Sequence, residues 1–329
     1  MKFSVVIPVY NKKPHIARMI KSLLHQTLQD FEVIVVDDSS TDGSIEEIKR
    51  LYGNKARYFR TAGDVQLGPG AARNIGVANA RAEWIAFLDA DDEWHPDHIS
   101  QMNAQIKRFP EASVFSCGWY ITGNGGSQHK DPHTLKYAGH GYHTIDFAEY
   151  LKRMRNRLAP IWTSVSVMKR STLLEAGGFP ENCMNSEDQD TWLRVSAISP
   201  IGWSPFTGAW YHREAVNRTA GRYPEYRCNI VATLDGMYCD TRYRHVRRKI
   251  RCYMNRVIVT RMTANARKGN ANLSDLSNYS FIHSPFLFFQ SLLLFLPKGI
   301  VNPLLKIRKA IVNRIKFHGA AYLPSSEIP

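Results

Sequence analysis

Three carboxylates stand close together directly after an apolar run, at Asp89, Asp91 and Asp92. Such a group is costly to hold without a cation, and its oxygens suit magnesium or manganese, which keep open positions for substrate phosphates. A solvated acidic turn that also caps the next helix, at His95–Pro96, would contain the same residues. The spacing alone leaves both interpretations open.

A second acidic cluster consists of Glu187, Asp188 and Asp190. Asn185 or Ser186 would cap a helix at this point, and the helix dipole favours acids in its first turn. A carboxylate at a helix start could equally act as a general base toward a hydroxyl. Taken by itself, the cluster favours the structural interpretation over the catalytic one.

Two polar segments lie between the start of the chain and the first cluster. Residues 37–43 (DDSSTDG) fit a turn with a helix N-cap, and one of their carboxylates could also accept from a base N–H of a nucleotide. Residues 68–74 (GPGAARN) combine glycines, which permit close backbone approach, with Arg73, which could meet a phosphate. They are not a dinucleotide-binding fingerprint, because Arg73 stands where the third glycine of that motif should be.

Strand and helix patterns alternate along the first hundred residues and place the polar clusters at strand ends. This repetition, with short connections, predicts an α/β fold in which helices cover both faces of a parallel sheet and ligands bind beyond the carboxyl ends of the strands. The predicted strands are Phe3–Val9, Phe31–Val36, Tyr58–Thr61 and Trp84–Leu88, and the predicted helices are His15–Leu28, Ile45–Leu51 and Gly70–Ala80. Farther along, Ser113–Thr122, Ile161–Met168 and Ile201–Trp210 are strand candidates, and Gly123–His143 is a predicted loop.

Taken together, the motifs resemble the inverting family-2 glycosyltransferases of bacterial cell-surface polysaccharide biosynthesis. The matching segments are VVIPVYN (5–11), FEVIVVDDSSTD (31–42), GPGAARNIG (68–76), FLDADDEW (87–94) and EDQDTWLR (187–194). The resemblance implies the GT-A fold, a Rossmann-like and mostly parallel sheet with helices on both faces. It implies a nucleotide-sugar-binding half in 1–105 and an acceptor-binding, catalytic half in 106–240, followed by a basic helical tail in 241–329.

The resemblance also implies roles for single residues on the donor side. The donor would be a nucleotide diphosphate-sugar, with a uridine diphosphate sugar expected from the family and a guanosine or thymidine donor as the alternative. The residues implied to bind it are Pro8, Tyr10, Asn11, Asp38, Ser40, Gly70, Arg73, Asp89 and Arg218, with Asp38 facing the base.

The metal and the reaction are implied in the same way. Asp89 and Asp91 would hold a divalent cation, manganese or magnesium, and His212 would be a late ligand. Asp188 would be the catalytic base that gives inversion, with Glu187 and Asp190 supporting the acceptor side. The sequence departs from the family after this motif, because an alignment through Asn217 puts His212 where relatives have an arginine.

The net charge of +14 comes entirely from the end of the chain. Residues 241–329 contain 16 Lys and Arg against two acids, Asp275 and Glu327. This surplus predicts an anionic partner, either membrane lipid or nucleic acid. The apolar residues Leu304, Ile307, Ile311 and Ile315 fall on one face of a basic helix, which is typical of helices that lie on a membrane surface. No nucleic-acid recognition module matches the tail, and packing against the enzyme or a second copy of the chain is the alternative.

Several features bear on location. The five cysteines are odd in number and lack a Cys-x-x-Cys spacing, which argues against a disulfide framework and favours a reducing compartment. The N-terminus fits a strand better than a signal peptide, and the most apolar stretch, Pro285–Leu296, is too short to span a bilayer. We therefore expect a cytoplasmic enzyme, peripheral on the inner face of the membrane, that glycosylates a glycan or lipid-linked glycan. A sugar-nucleotide-binding protein without activity is the alternative.

Overall fold

A computed structural model of the chain describes residues 2–123, 126–181, 183–216, 230–268, 276 and 278–284. The chain divides into two compact units, Met1–Thr233 and Leu234–Pro329. The predicted amphipathic helix around 304–315, the apolar stretch 285–296 and Arg218 lie outside the described residues.

The strands are β1 Phe3–Val9, β2 Phe31–Asp37, β3 Ala56–Arg60, β4 Trp84–Phe87, β5 Glu93–Trp94, β6 Val114–Thr122, β7 Gln128–Lys130, β8 His143–Ile145, β9 Val167–Lys169 and β10 Ile201–His212. The helices are α1 Lys13–Leu24, α2 Ser44–Tyr52, α3 Pro69–Ala78, α4 His98–Arg108, α5 Pro132–Tyr137, α6 Phe147–Arg155, α7 Arg170–Glu175, α8 Glu187–Ile198, α9 Ile230–Cys239 and α10 Arg247–Lys268.

The first four strands pair in parallel in the order β3-β2-β1-β4. Alternate residues of a strand point to opposite faces, and both faces of this sheet are apolar. Val33 and Val35 of β2 belong to the core that includes the buried side of α1, whereas Ile34 and Val36 pack with Ala72 of α3. Helices therefore cover both faces, and the strands and helices predicted for this half are confirmed to within a few residues at their ends.

The sheet continues beyond β4 through β9, β6, β10 and β5. β9 runs antiparallel to both β4 and β6, while β6 and β10 are parallel to each other. Within the described part of the chain, β5, β7 and β8 add three short antiparallel edges. The sheet is thus mixed, with all of its parallel pairs among β1 to β4 and between β6 and β10 in the part of the chain that the structure describes.

Two predictions for the middle of the chain are wrong. The strand expected over Ile161–Met168 is confined to Val167–Lys169, because Thr163–Val165 form a 3₁₀ turn. The loop expected over Gly123–His143 contains β7 and α5. In α5 the Asp131 side chain accepts from the backbone N–H groups of His133 and Thr134, an N-cap that starts a helix in a segment without apolar periodicity.

Three sets of contacts fix α3 and α8 against the sheet. A Cβ on Gly76 would lie 2.3 Å from Val6 Cγ1, so only glycine lets α3 approach β1 this closely. The rings of Phe87, Phe179 and Trp192 pack edge to face, with centroids 5.3 Å apart for the first pair and 5.6 Å for the second. The Asn74 side chain also bonds both the N–H and the C=O of Phe179, each at 2.8 Å. These contacts hold the start of α8 beside the carboxyl end of β4.

The second unit is helical where it is described. α10 contains eight Lys and Arg residues and no acid. The Asn255 side chain bonds both the N–H and the C=O of Ser280, and Arg251 lies over the Tyr238 ring at 3.9 Å.

Two further observations concern the cysteines and the membrane. Cys183 is disulfide-bonded, contrary to the expectation from the cysteine pattern, and Cys117, Cys239 and Cys252 are free. Among the described helices, none is long and apolar enough to cross a bilayer.

Candidate active site

A cavity of about 410 Å³ lies beyond the carboxyl ends of β1, β2 and β4. It brings together residues from the loops after these strands, from the start of α8 and from an aromatic group on the far side. The lining residues are Pro8, Val9, Tyr10, Lys12, Asp38, Gln66, Pro69, Arg73, Asp89, Ala90, Asp91, Asp92, Trp119, Ile121, Trp162, Thr163, Asn185, Ser186, Glu187, Asp188, Gln189 and Tyr211. The carboxylates of three acidic segments that are well separated in the sequence, at Asp38, at Asp89–Asp92 and at Glu187–Asp188, therefore share one space.

Arg73 joins two of the acidic clusters. Its guanidinium contacts Asp89 Oδ1 and Glu187 Oε1, both at 2.7 Å, and only 4% of the residue is exposed. Burial lowers the pKa of Arg73, but Asp89 and Glu187 more than offset this and the net shift is upward. Arg73 is therefore a permanently charged bridge between the β4 loop and α8, and both carboxylates are fixed before any ligand binds.

Asp91 is paired with a residue that the sequence analysis did not single out. Lys12 Nζ lies 2.5 Å from Asp91 Oδ2, and it also donates to the backbone carbonyl of Val216 at 2.9 Å. The Arg18 guanidinium donates to the Asp91 carbonyl at 2.8 Å. An ammonium group thus contacts the carboxylate that is expected to hold a metal ion.

Asp92 plays a different part from its two neighbours. It is 1% exposed, and Ser164 Oγ donates to its Oδ2 at 2.6 Å. Burial, followed by the nearby charges of Asp91 and Asp89, raises the pKa of Asp92 well above its ordinary value. Ser164 also accepts from the Asp89 backbone N–H, and its carbonyl accepts from Trp94 Nε1. Asp92 and Ser164 therefore fix the shape of the loop that presents Asp89 and Asp91.

Asp188 lies at the start of α8, partly exposed to the cavity. Ser186, before the helix, has φ = 68° and makes no side-chain cap. Asp188 Oδ1 accepts from the Gln189 N–H at 2.7 Å. Burial and the neighbouring Glu187 charge raise the pKa of Asp188 to about 7, although Arg73 opposes the shift. A carboxylate with a pKa near neutrality suits general-base chemistry.

Asp38 lies at the other end of the cavity. It is buried, and its two oxygens accept from the backbone N–H groups of Leu67 and Gly68, both at 2.9 Å. Burial raises its pKa, and these two hydrogen bonds oppose the shift. Pro8 and Tyr10 line the cavity beside it. A nucleoside pocket at this place would therefore have a formed loop on one side and β1 on the other.

Three residues expected to bind the donor lie behind the lining. The Asn11 backbone N–H donates to Ser40 Oγ at 3.1 Å, and the side-chain oxygen Asn11 Oδ1 accepts from the Thr41 backbone N–H at 2.8 Å. These contacts join the loops after β1 and β2. A Cβ on Gly70 would lie 2.5 Å from the Pro180 carbonyl oxygen, so this glycine is required by protein packing. The direct donor contacts predicted for Asn11, Ser40 and Gly70 stay predictions.

Asp190 and His212 also lie outside the lining. Asp190 pairs with Arg194 at 2.8 Å and accepts from Thr233 Oγ1 at 2.5 Å. His212 Nδ1 lies 3.1 Å from both Thr122 Oγ1 and a Glu214 oxygen. The acceptor-side role of Asp190 and the metal-binding role of His212 stay predictions, and Arg218 is not among the described residues.

A divalent cation fits the remaining carboxylates. Asp89 and Asp91 both line the cavity, and each leaves one oxygen outside its ion pair with Arg73 or Lys12. Magnesium and manganese at phosphate-transfer sites use one or two carboxylates and complete their shell with water and substrate phosphates. In the described residues no group of three His, Cys, Asp or Glu forms a cage. The donor set therefore fits a cation that binds together with a diphosphate.

Some site residues had no signal in the sequence. Ser164 acts through hydrogen bonds to residues 70 and 72 positions away. Trp119, Trp162 and Tyr211 reach the cavity from strands and a turn whose local pattern does not differ from that of core. Lys12 had a weak signal, since it directly follows the VYN motif.

Comparison with known proteins gives consistent results. The profile described as glycosyl transferase family 2 matches residues 4–174. An uncharacterized glycosyltransferase of Rickettsia conorii is 32% identical over 205 residues, which are 61% of this chain and 31% of that protein. The succinoglycan biosynthesis protein ExoW of Rhizobium meliloti is 39% identical over 126 residues, 37% of this chain and 38% of that protein. The chain thus spans about a third of the length of these relatives.

Solved structures agree on the fold. The crystal structure of S. aureus TarS 1–349 in complex with UDP-GlcNAc superposes with a TM-score of 0.68 at 20% identity, over 88% of this chain and 81% of that one. This likeness supports the expected GT-A architecture for the sheet and its helices. Because the family profile covers more than half of the chain, and the carboxylates of its motifs converge on one cavity, the chain belongs to glycosyl transferase family 2.

Proposed function

We propose that the chain is an inverting glycosyltransferase that moves a sugar from a nucleotide diphosphate-sugar to a hydroxyl of a glycan or lipid-linked glycan. The observation that carries the proposal is the convergence of three features in one cavity. These are a buried hydrogen-bond acceptor, the Asp38 carboxylate; two neighbouring carboxylates, Asp89 and Asp91; and a carboxyl with a pKa of about 7, Asp188. A nucleoside, a diphosphate with its cation, and an acceptor hydroxyl each have a matching group.

The donor binds at the Asp38 end in this proposal. Pro8 and Tyr10 form the apolar side of the nucleoside pocket, and each Asp38 oxygen keeps a lone pair beyond its bond to the 67–68 backbone. A uracil N–H is a suitable donor to that carboxylate. The TarS neighbours, which were solved with UDP and with UDP-GlcNAc, support a uridine diphosphate sugar.

Asp89 and Asp91 would hold the divalent cation, which when bound would neutralise the charge that grows on the leaving diphosphate. Arg73 and Lys12 keep these two carboxylates in place in its absence. A mannosyltransferase of Pyrobaculum calidifontis, solved with GDP-Man and Mn²⁺, superposes with a TM-score of 0.52 and supports the requirement for a cation.

Asp188 is the base of the reaction. Its ionised carboxylate takes the proton from the acceptor hydroxyl while the oxygen bonds to the anomeric carbon, and the bond from that carbon to the diphosphate oxygen breaks on the opposite face. One displacement inverts the anomeric configuration. Glu187 acts indirectly, since its ion pair with Arg73 fixes the start of α8 relative to Asp89.

The basic tail suggests where the enzyme works. We propose that 241–329 binds an anionic membrane surface at the cytoplasmic face, where a lipid-linked acceptor would be available. The name of the relative ExoW refers to biosynthesis of the polysaccharide succinoglycan, which supports a similar pathway class. Contact with a second copy of the chain through the tail is the alternative.

Calorimetric titration with uridine diphosphate tests the donor site. We expect binding by the native chain that depends on Mn²⁺, loss of that dependence in Asp91→Ala, and native binding in Asp188→Asn. Screening of UDP-sugars should then give turnover in the native chain and none in Asp188→Asn. If no nucleotide binds the native chain with or without metal, the proposal is wrong. If nucleotide binds and Asp188→Asn is as active as the native chain, the assignment of the base is wrong.

A further inference from the structure

Three aromatic side chains form one side of the cavity, and we call them the aromatic wall: Trp119 on β6, Trp162 before the 163–165 turn, and Tyr211 on β10. The Trp119 and Trp162 ring centroids are 5.6 Å apart, and those of Trp162 and Tyr211 are 5.0 Å apart. The Trp162 ring therefore packs against both other rings and joins three separate segments of the chain.

The wall is not fully enclosed core. Trp119 is 7% exposed, but Trp162 and Tyr211 are only partly buried, and all three contribute to the cavity surface. The face of an aromatic ring carries a partial negative charge. The axial C–H hydrogens on one face of a pyranose ring are apolar and slightly positive, so such a face and an aromatic ring attract each other. The planes of neighbouring rings are tilted by 39° and 55°, so a sugar ring would pack on the face of one ring of the wall and not across all three.

The position of the wall assigns it to the acceptor. Asp38 follows β2, whereas Trp119 lies on β6, and the sheet order β2-β1-β4-β9-β6 puts four strand spacings between them. At about 4.8 Å per spacing this is roughly 19 Å. Asp89 and Asp91 follow β4, between the two ends. A donor with its base at Asp38 has its diphosphate near the middle of the cavity, and the wall lies on the other side of the reacting centre.

The negative charge of the cavity lining limits which acceptors can bind at the aromatic wall. Six acids line it, namely Asp38, Asp89, Asp91, Asp92, Glu187 and Asp188, against two cations, Lys12 and Arg73, among the described residues. Both cations are already in ion pairs with these acids. A phosphate or carboxylate on the acceptor, near the reacting hydroxyl, would be repelled.

From these observations we propose that the aromatic wall is the acceptor subsite and that it takes a neutral pyranose ring by its apolar face. The inference rests on the proposed function and narrows its acceptor class. An open-chain alditol phosphate has neither a flat apolar face nor a suitable charge for this site, so the acceptor unit is a ring sugar.

Saturation-transfer NMR provides the test, with UDP and Mg²⁺ present to fill the donor site without a paramagnetic ion. The probes are methyl β-D-glucopyranoside, methyl β-D-galactopyranoside and methyl α-D-mannopyranoside, with ribitol 5-phosphate as the open-chain, charged comparison. The variants are Trp162→Ala, which removes a ring, and Trp162→Phe, which keeps one. Trp210→Ala is the matched control, because Trp210 is next to Tyr211 on β10, points to the opposite face and does not line the cavity.

We expect at least one pyranoside to bind the native chain with the strongest transfer to its ring C–H hydrogens, and ribitol 5-phosphate not to bind. Trp162→Ala should weaken pyranoside binding about tenfold, while Trp162→Phe and Trp210→Ala stay within about threefold of native. Calorimetric binding of UDP and of UDP-glucose should be unchanged in all three variants.

Each contrary result has a separate meaning. If ribitol 5-phosphate binds better than every pyranoside, or if Trp162→Ala binds pyranosides as the native chain does, the subsite is wrong. If no pyranoside binds while UDP does, the subsite is wrong and the donor site stands. If Trp162→Ala weakens UDP-glucose but not UDP, the wall holds the donor sugar and the acceptor assignment is wrong. If UDP itself does not bind the native chain, the proposed function fails, and the inference fails with it.

Discussion

Asp188 has an environment that opposes its charge. Its ordinary pKa of 3.8 rises to about 7 because burial and Glu187 disfavour the carboxylate, although Arg73 lies nearby. A well-paired acid would have stayed ionised and served only to hold α8. The raised pKa instead leaves a carboxyl that gains and loses its proton near neutral pH, which is the property a general base needs.

Measurements of stability against pH should reveal the raised pKa of Asp188 before any substrate is known. In the unfolded chain Asp188 loses its proton near pH 4, whereas in the folded chain it keeps the proton until about pH 7. The raised pKa therefore contributes stability at low pH that is lost as the pH rises through 7. Asp188→Asn removes the free-energy cost of holding an ionised carboxylate at this buried position. The Tm of this variant should therefore exceed the native Tm at pH 8 and approach it at pH 4. An equal Tm difference at both values would contradict the raised pKa.

The same pKa predicts the pH dependence of turnover. Only the ionised carboxylate can accept the acceptor proton, so kcat/KM should fall about tenfold per pH unit below about pH 7. The check is a kcat/KM profile from pH 5 to pH 9 with the UDP-sugar found by screening. An acid limb that stays flat down to pH 5 would exclude Asp188 as the base.

Lys12 should compete with a metal ion for Asp91, because its ammonium lies 2.5 Å from the carboxylate. We expect Lys12→Met to tighten Mn²⁺ binding in the absence of nucleotide by about tenfold, since the competing charge is removed. Lys13→Met is the matched control, because Lys13 is exposed and not part of the cavity lining. Metal affinity can be measured by electron paramagnetic resonance of free Mn²⁺. Weaker binding by Lys12→Met would mean that Lys12 assists the metal site and does not compete with it.

At the scale of elements, glycines set how closely helices approach the sheet. A methyl group on Gly76 would meet Val6 Cγ1 at 2.3 Å, so either α3 or β1 must shift. We expect Gly76→Ala to lower the free energy of unfolding by about 1–3 kcal/mol, despite the better helix propensity of alanine. Gly139→Ala, whose new Cβ would have no neighbour within 4 Å, should be near native in a urea unfolding curve. Equal stability of the two variants would contradict the packing argument.

The elements that the sequence predicted correctly are those with a strong local pattern. β1 and β2 are continuous β-branched runs, and the buried residues of α1 recur at helical spacing, so local periodicity is sufficient. The 163–165 turn was missed because its hydrogen bonds reach Asp89, Asp92 and Trp94 across the fold. No local pattern encodes such contacts.

The residues of the candidate site show the same difference between local pattern and long-range contact. Asp38, Asp89 and Asp188 were found because they belong to motifs at the ends of predictable elements, and parallel strands bring such ends together. Asn11 and Ser40 belong to the same motifs, yet they bond to each other behind the cavity. A motif therefore identifies which loops meet, but which side chain of a loop faces the ligand depends on the hydrogen bonds between loops.

For the whole molecule, the uneven charge is the main feature. α10 alone has eight cations and no acid, and residues 241–329 account for the full net charge of +14. We expect the chain to sediment with phosphatidylglycerol vesicles at about 50 mM salt and to be released at about 500 mM, because screening weakens the attraction. Phosphatidylcholine vesicles and duplex DNA should retain it weakly. Retention on DNA that exceeds retention on anionic vesicles would favour a nucleic-acid partner.

The place of β9 in the sheet has a consequence for synthesis on the ribosome. β1 to β4 are complete once residue 87 has left the exit tunnel. One edge of β4 then pairs with β1, but the strand that pairs with its other edge is β9, which begins at Val167. At about 5–20 residues per second the edge of β4 stays unpaired for roughly 4–16 s, and an open apolar edge is a template for association with other chains. Nascent chains of this protein should therefore need a chaperone most while residues 88–167 are being made, and slower translation of that segment should increase aggregation.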